Sequence, residues 1–543
     1  VSLTNVNMLH TQVYTTPKSK ASDKVDQLLA NYDFENGPGL SIAVIKDGAI
    51  VYKNGFGIAN LEYGIPITTS TVFQVASVSK QFTVFSILLL EQEGKLSMDD
   101  DIRNYLPEMP EYGHTITLRN LANHTSGIRD NTELAYLIGT SETDMLSNEE
   151  AVKLITNQKG LNFIPGDKFE YCNSGYILLA EIVSRVSGQS FAEFTQSRIF
   201  TPLQMKNSQF VDAPGKIIKN RAYSYHKVDT TYNKSILNHS FVGSTGLNTT
   251  ADDLSLWAMN FEKKSIGNDA VFNKMKEKSR LNSGEIIPYG LGLENQTYKG
   301  LDIVFHGGGI GGYGSRILII PEYNFAIVYM CNSHEFHPFD IVYNIVDYYL
   351  GDKEIIPPTP TIDKTFLQNY VGDYELFKGS IFTFTLENDT LCLNVNGDDN
   401  KMKLMQTSDH EFTFPYYPHS SFIFEQSKGQ SSSSVKWQIS DFYYPGQRTE
   451  FKIFDSEKAD IHELVGMYYN AELNTTYNFV VKENQLFATH SKNGEINLTV
   501  FQPDIFVGEL GAIEMIRNDQ NKVIGFYLST QRIKRMQFDK ISG

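Results

Sequence analysis

Ser77-Val78-Ser79-Lys80, followed by Gln81-Phe82-Thr83-Val84-Phe85-Ser86-Ile87-Leu88-Leu89-Leu90 and halted before Gly94, is the stretch that orders the rest of the chain. The apolar residues Phe82, Phe85, Ile87, Leu88, Leu89 and Leu90 are too dense for a one-sided amphipathic stripe, so the spacing predicts a helix buried on nearly every side and beginning near Ser77. A hydroxyl is a weak nucleophile and needs a base within hydrogen-bond reach. Positions i and i+3 share a helix face, which brings the Lys80 amine to the Ser77 hydroxyl, and burial favours the neutral amine. The same helix start exposes backbone N–H groups, so the N–H of Ser77 itself is half of a candidate oxyanion hole.

S-x-x-K alone is weak, since Ser224 to Lys227 and Ser433 to Lys436 match it too. The ordered series S-x-x-K, Y-x-N, K/H-x-G also occurs twice. One set runs through Ser77, Tyr171 to Asn173 and His306 to Gly308; the other runs through Ser433, Tyr468 to Asn470 and Lys492 to Gly494. The second follows the serine-rich Ser431 to Ser434 with no helical period and is rejected. In the first, Tyr171-Cys172-Asn173 precedes a helical pattern, and His306-Gly307-Gly308 leads into a strand.

Outward from these motifs, residues 39 to 54 read as a hairpin around Lys46-Asp47-Gly48. Helical patterns cover Tyr176 to Val186 and Ala251 to Phe261, and Ser315 to Met330 reads as strand, turn and strand around Pro321 to Asn324. The prolines of Gly351 to Pro360 predict a stiff connector. Beyond it short alternating runs such as Phe382, Phe384 and Leu386 give an all-β half. Val371-Gly372-Asp373-Tyr374 recurs there as Val465-Gly466-Met467-Tyr468, and Phe442-Tyr443 with Gln447-Arg448 as Phe526-Tyr527 with Gln531-Arg532. Two barrels of about ninety residues each are expected, since closure removes sheet edges; a single large sandwich is the alternative.

An apolar fraction of 41% and a charged fraction of 20% are those of an ordinary globular chain, and 543 residues predict several domains. A net charge of −16 without a basic run makes nucleic acid and anionic membrane poor partners. The three cysteines lack metal or disulfide-framework spacing, no stretch reaches the length of a membrane span, and no leader-like segment is seen at Val1. No cofactor and no metal are expected. His334-Glu335-Phe336-His337 falls one residue short of H-E-x-x-H, and the G-x-G-x-x-G of Gly307 to Gly312 is followed by β-rich residues rather than a helix. No G-x-S-x-G elbow is present. His124 and Ser126 read as loop supports.

The segments Phe73 to Lys80, Leu121-Ala122-Asn123-His124-Thr125-Ser126-Gly127, Phe169 to Tyr176 and Gly246 to Leu254 together resemble the class C β-lactamase and penicillin-binding protein family of serine hydrolases, over roughly residues 35 to 350. The resemblance implies an α+β chain: a β-lactamase-like mixed α/β sheet domain with a helical subdomain over 1–351, then a Pro-rich linker 352–363, a lipocalin-like antiparallel β-barrel 364–458 and a second barrel 459–543. It also implies acylation of Ser77, with Tyr171 as general base, Lys80 lowering its pKa, Asn173 orienting substrate amides, and the N–H of Gly309 completing the oxyanion hole beside Gly308. The usual Lys-Thr-Gly is here His306-Gly307-Gly308, and a mostly neutral histidine supports a substrate carboxylate less well than lysine. Histidine there, with two C-terminal barrels, looks like D-stereospecific aminopeptidases, in which a barrel loop reaches toward the cleft and is expected to restrict access. A carboxylesterase, a DD-carboxypeptidase or β-lactamase, and, in a different class, an inactive peptide- or cell-wall-binding protein stay open. The expected partners are a small peptide or ester substrate; a periplasmic or extracellular setting is implied, and homo-oligomerisation is left open.

Overall fold

A computed structural model describes residues 19–542 apart from 214, 337, 352–365, 399, 416, 426–429, 440–441, 453 and 455–458. The expected hairpin forms as Leu40–Lys46 and Ala49–Phe56, and its two turn residues, Asp47 and Gly48, take φ of 50° and 71°, the left-handed pair that matches the twist of the flanking strands. Both strands belong to a six-stranded sheet ordered Glu294–Tyr298, Leu301–Ile310, Tyr313–Ile320, Phe325–Cys331, Leu40–Lys46, Ala49–Phe56. Every pairing in it is antiparallel, so the α/β mixture comes from the helices on its faces. Side chains alternate along a strand. Ile42 and Val44 therefore cluster with Val25 and Leu29 of the helix Lys20–Leu29 and with Ile341 and Ile345 of the helix Pro338–Leu350, whereas Ala43 and Ile45 join a second cluster containing Trp257.

The decisive helix is Ser79–Gln92, in which every residue from Ser79 to Leu90 is buried. Phe82 and Phe85 lie 4.5 and 5.1 Å from Trp257 of the helix Ala251–Lys263, and the Trp257 indole N–H donates to Gln81 Oε1 at 3.0 Å. Ser77 precedes this helix in the 3₁₀ turn Ala76–Val78. The helix Asn173–Ser187 packs beside it, together with the shorter helices Leu118–Ala122, Asn131–Leu137 and Asn148–Thr156, to form the helical subdomain. Among the described residues no helix is long and apolar enough to cross a membrane.

Two β units follow, not one sandwich; most of the connector expected at 351–360, and all of 352–363, lies outside the described residues. In the first unit nine antiparallel strand segments run from Gly372–Phe377 to Phe442–Thr449. Its two edge segments, Met402–Lys403 and Met405–Gln406, are joined through Leu404, so the barrel is nearly closed. The second is a closed barrel of eight strands, Gly466–Asn470 through Met536–Ser542. The first repeat is structural: Gly372 and Gly466 open the first strand of each unit at φ 144° and 143°, and the Tyr374 and Tyr468 hydroxyls each donate to the carbonyl four residues upstream. The second repeat is not. Arg448 pairs in register with Tyr374, but the residue opposite Tyr468 is Lys540, and Arg532 lies in the loop before the last strand. The first unit has its own core, whereas the second shares one with the helical subdomain, where Tyr477 Oη donates to the Leu137 carbonyl at 3.0 Å.

Candidate active site

Ser77 sits where the sheet edge meets the buried helix. Ala76, just before it, is held at φ 44°, a left-handed conformation that L-residues avoid, and Ser315 Oγ fixes the turn by donating to the Val75 carbonyl at 2.8 Å. The strand Leu301–Ile310 crosses so closely that a Cβ on Gly308 would lie 2.4 Å from the Val75 oxygen and 2.9 Å from the Ser77 nitrogen. Only glycine fits there, and the contact places the Gly307-Gly308-Gly309 backbone beside the Ser77 N–H.

Lys80 is fully buried, and its Nζ donates to Ser77 Oγ at 3.0 Å, Asn173 Oδ1 at 2.9 Å and the Ser244 carbonyl at 2.9 Å. Burial lowers its pKa to about 7; Asp130 opposes this and Arg532 adds to it. Asn173 is the first residue of the helix Asn173–Ser187, and its N–H donates to Asp130 Oδ2 at 2.6 Å, which sets the angle of its side chain toward Lys80. Tyr171 is buried, with the Lys80 ammonium 4.8 Å from its ring centroid and the His124 ring at 4.2 Å. Burial raises the Tyr171 pKa well above the ordinary phenol value, while hydrogen bonding with Ser77 and the Arg532 charge pull it down.

His306 is buried as well. Its Nδ1 lies 2.6 Å from the Gly307 carbonyl, which can only accept, so Nδ1 carries the proton and the bare Nε2 accepts from Tyr289 Oη at 3.0 Å. Burial, with help from Lys80, takes the ring's pKa down to about 3, so it is neutral at physiological pH. Both nitrogens are engaged inside the protein. Gly309 is exposed on the same strand.

The structure thus brings Ser77, Lys80, Tyr171, Asn173, His306, Gly308 and Gly309 together. The competing matches fall apart. Lys436 lies on a strand and donates to Glu285 at 2.8 Å, Ser433 donates to Glu425 at 2.8 Å, and Lys227 donates to Glu335 at 2.8 Å. Three contributors carry no local signal: the Ser244 carbonyl, Tyr289, and Arg532 of the second barrel, whose Cζ lies 5.3 Å from the Tyr171 ring centroid. The sequence reads His124 as a loop support. Its Nδ1 does accept the Cys172 N–H at 3.1 Å, but its ring also packs on Tyr171 and, at 4.6 Å, on Tyr289.

The family model described as Beta-lactamase matches residues 25–347. A D-aminopeptidase of Gluconobacter oxydans is 31% identical over 298 residues, 54% of this chain and 56% of its own length, so the chain spans little more than half of that relative. Penicillin-binding protein 4* of Bacillus subtilis is 29% identical over 402 residues, 68% of this chain and 87% of its own length. Among solved structures, the octameric penicillin-binding protein homologue from Pyrococcus abyssi has the same fold, with a TM-score of 0.56 at 24% identity, covering 79% of this chain and 99% of that one. The matched residues 25–347 take in Ser77 with the buried Lys80, Tyr171, Asn173 and the His306 strand, and the chain belongs to the beta-lactamase family, whose chemistry is that of serine hydrolases.

Proposed function

We propose that the chain hydrolyses small peptides, amides or esters through an acyl-enzyme on Ser77, as a D-stereospecific aminopeptidase. The observation that carries this is the buried Lys80 amine at 3.0 Å from Ser77 Oγ, with its pKa near neutrality. As the neutral amine, Lys80 takes the Ser77 proton while Oγ bonds to the substrate carbonyl carbon. The N–H groups of Ser77 and Gly309 receive the oxyanion. As the tetrahedral adduct collapses, the proton returns from Lys80, by way of the Tyr171 hydroxyl, to the leaving amine or alkoxide. Water then repeats the sequence on the acyl-enzyme and frees Ser77. Tyr171, with its pKa pushed far up by burial, keeps its proton and serves as relay rather than resident phenolate. Asn173 orients the substrate amide, with its Oδ1 held by Lys80.

A neutral, internally bonded His306 supplies no cation for a substrate carboxylate, which favours amides and free amino termini over β-lactams and C-terminal carboxylates. The name of one relative, D-aminopeptidase, points the same way. Residues 1–351 form the catalytic unit in this reading and the β units at 364–458 and 459–543 flank it. A periplasmic or extracellular setting and a homo-oligomer belong to the same reading, checked by fractionation and light scattering. The deciding experiment sets D- and L-aminoacyl anilides, acyl esters and a chromogenic cephalosporin before the wild type and Ser77→Ala. Turnover of the D-aminoacyl anilide over its L-isomer, lost in S77A with an unchanged melting temperature, is expected. Equal use of both anilides would leave an amidase without stereoselectivity, turnover of the acyl esters alone would leave an esterase, and a protein that neither turns over any member nor takes an acyl-phosphonate label would be a binding protein.

A further inference from the structure

The loop Thr530 to Arg535 joins the last two strands of the second barrel; its Arg535 end stays on that barrel, with Glu514 and over Tyr527, but its middle is held by the catalytic unit. Asn162 clamps it from both sides: Nδ2 donates to the Arg532 carbonyl at 2.8 Å and Oδ1 accepts the Lys534 N–H at 2.8 Å. Glu133 Oε2 accepts the Arg532 N–H at 2.9 Å and also the Thr530 hydroxyl. So held, the Arg532 guanidinium stands over the Tyr171 ring, 5.3 Å from its centroid, with Nη1 3.8 Å from Asp130 Oδ2. That carboxylate oxygen is the one that receives the Asn173 N–H, and Asn173 Oδ1 in turn receives Lys80. Asp130 is completely buried.

We propose that Arg532 is a positioning residue of the active site, delivered by the second barrel: its charge, set against Asp130 and the Tyr171 ring, holds Lys80 and Tyr171 in the state from which Ser77 loses its proton. The proposal rests on the assignment of Ser77 and Lys80 made above. Buried Asp130 attracts a proton onto Lys80, and Arg532 balances that attraction. A cation against the ring also favours negative charge on the phenol during proton relay. The other groups facing this centre do not replace it. His124 and His306 are held neutral by burial, Lys534 is occupied by Glu170 at 3.4 Å, Glu133 and Glu294 are carboxyls, and Tyr444 of the first barrel brings a phenol to Arg532.

Removing the guanidinium raises the proton affinity of both partners: Lys80 loses a repelling charge, and the phenol loses one that favours its anion. Whichever of them governs the acid limb of the rate profile, that limb moves to higher pH. The test is the rate of acyl-phosphonate labelling, with hydrolysis of a p-nitrophenyl acyl ester beside it, from pH 5 to 10 on the full chain. Arg532→Gln is expected to shift the acid limb upward by roughly one unit, so that the loss is about tenfold greater at pH 6 than at pH 9. Arg532→Lys restores most of the limb. Asn162→Ala, which frees the loop without altering a charge, moves it in the same direction by less. A wild-type limb in R532Q, or in N162A if R532Q does not fold, overturns the proposal, and so does a uniform loss at every pH. Ser77→Ala keeps the two readings apart: labelling that survives in S77A sinks the assignment of the nucleophile, whereas S77A silent and R532Q normal in profile sinks this inference alone.

Discussion

Arg448 and Arg532 each follow a glutamine near the end of a β unit, and the two do opposite things. Arg448 folds back on its own barrel: Nε donates to the Ser432 carbonyl at 2.5 Å, Nη1 to Val371 at 2.9 Å, and Nη2 to Asn369 at 2.9 Å and to Tyr374 Oη at 2.7 Å. Arg532 leaves its barrel for the Tyr171 ring and Asp130 of the catalytic unit. The cause lies in how each sheet closes. In the first unit, the strand that carries Arg448 is the one that pairs with Gly372–Phe377, so the arginine is held in the wall. In the second, the last strand Met536–Ser542 takes that place, and the loop before it is released from the wall. The wall then draws its cation from Lys540, which lies 5.7 Å from the Tyr468 ring centroid as Arg448 lies 4.9 Å from that of Tyr374.

If Arg448 belongs to a wall and not to a site, its loss is read in stability alone. Arg448→Ala leaves three carbonyls and the buried Tyr374 hydroxyl short of a donor. A destabilisation of about 2–3 kcal/mol follows. Urea denaturation is expected to show it, with the pH profile of turnover unmoved. An Arg448→Ala protein whose acid limb shifts would erase the distinction between the two arginines.

A second contrast sharpens the first. Arg448 stabilises the fold, whereas the buried Lys80 costs it stability when it carries a proton. Burial depresses the folded pKa of Lys80 to about 7 from the ordinary lysine value of 10.5. Below pH 7 both folded and unfolded states carry the proton and the burial penalty is fully present. Between pH 7 and 10.5 the unfolded chain binds one proton more than the native one, so stability climbs with pH at up to about 1.4 kcal/mol per unit. Above that range both are neutral and the penalty is gone. Lys80→Met removes this climb, and the difference in melting temperature between wild type and variant is expected to narrow from pH 7 to pH 9. A constant difference would mean that Lys80 keeps its proton in the native state throughout.

The parts of the site legible in the sequence are those whose chemistry is local. Ser77 and Lys80 lie one helical turn apart, Tyr171 and Asn173 are two residues apart, and Gly308 betrays a close backbone approach. Tyr289, the Ser244 carbonyl and Arg532 come from loops that no periodicity marks, and they meet the site only through tertiary packing. His306 was legible as a neutral member of the third motif, but its engagement by Tyr289 and Gly307 was not. The hairpin at Leu40–Lys46 was visible because its turn demands Asp-Gly chemistry. The helix Lys20–Leu29 passed without notice, although Ser19 caps it by accepting the Ser22 N–H at 3.1 Å. The Gln-Arg repeat misled for a physical reason: strands of one composition recur in both barrels, while register depends on which strand closes the sheet.

The smallest effect belongs to Lys540. Where Arg448 satisfies four oxygens through a planar fork, Lys540 donates to one, the Glu463 carbonyl at 3.1 Å, and lies farther from its tyrosine ring. The Tyr468 hydroxyl is already satisfied by the Leu464 carbonyl at 2.7 Å and needs nothing from it. A single hydrogen bond and a half-exposed cation–π contact amount to about 0.5–1 kcal/mol. Lys540→Ala is therefore expected to lower the melting temperature slightly and leave turnover and its pH profile alone. Lys540→Arg, opposite Tyr468 in the register that Arg448 has opposite Tyr374, is expected to recover that loss. If Lys540→Ala instead proves as damaging as Arg448→Ala, the two walls are equivalent in energy as well as in register, and the argument that Arg532 was free to leave because a lesser cation sufficed in its place no longer stands.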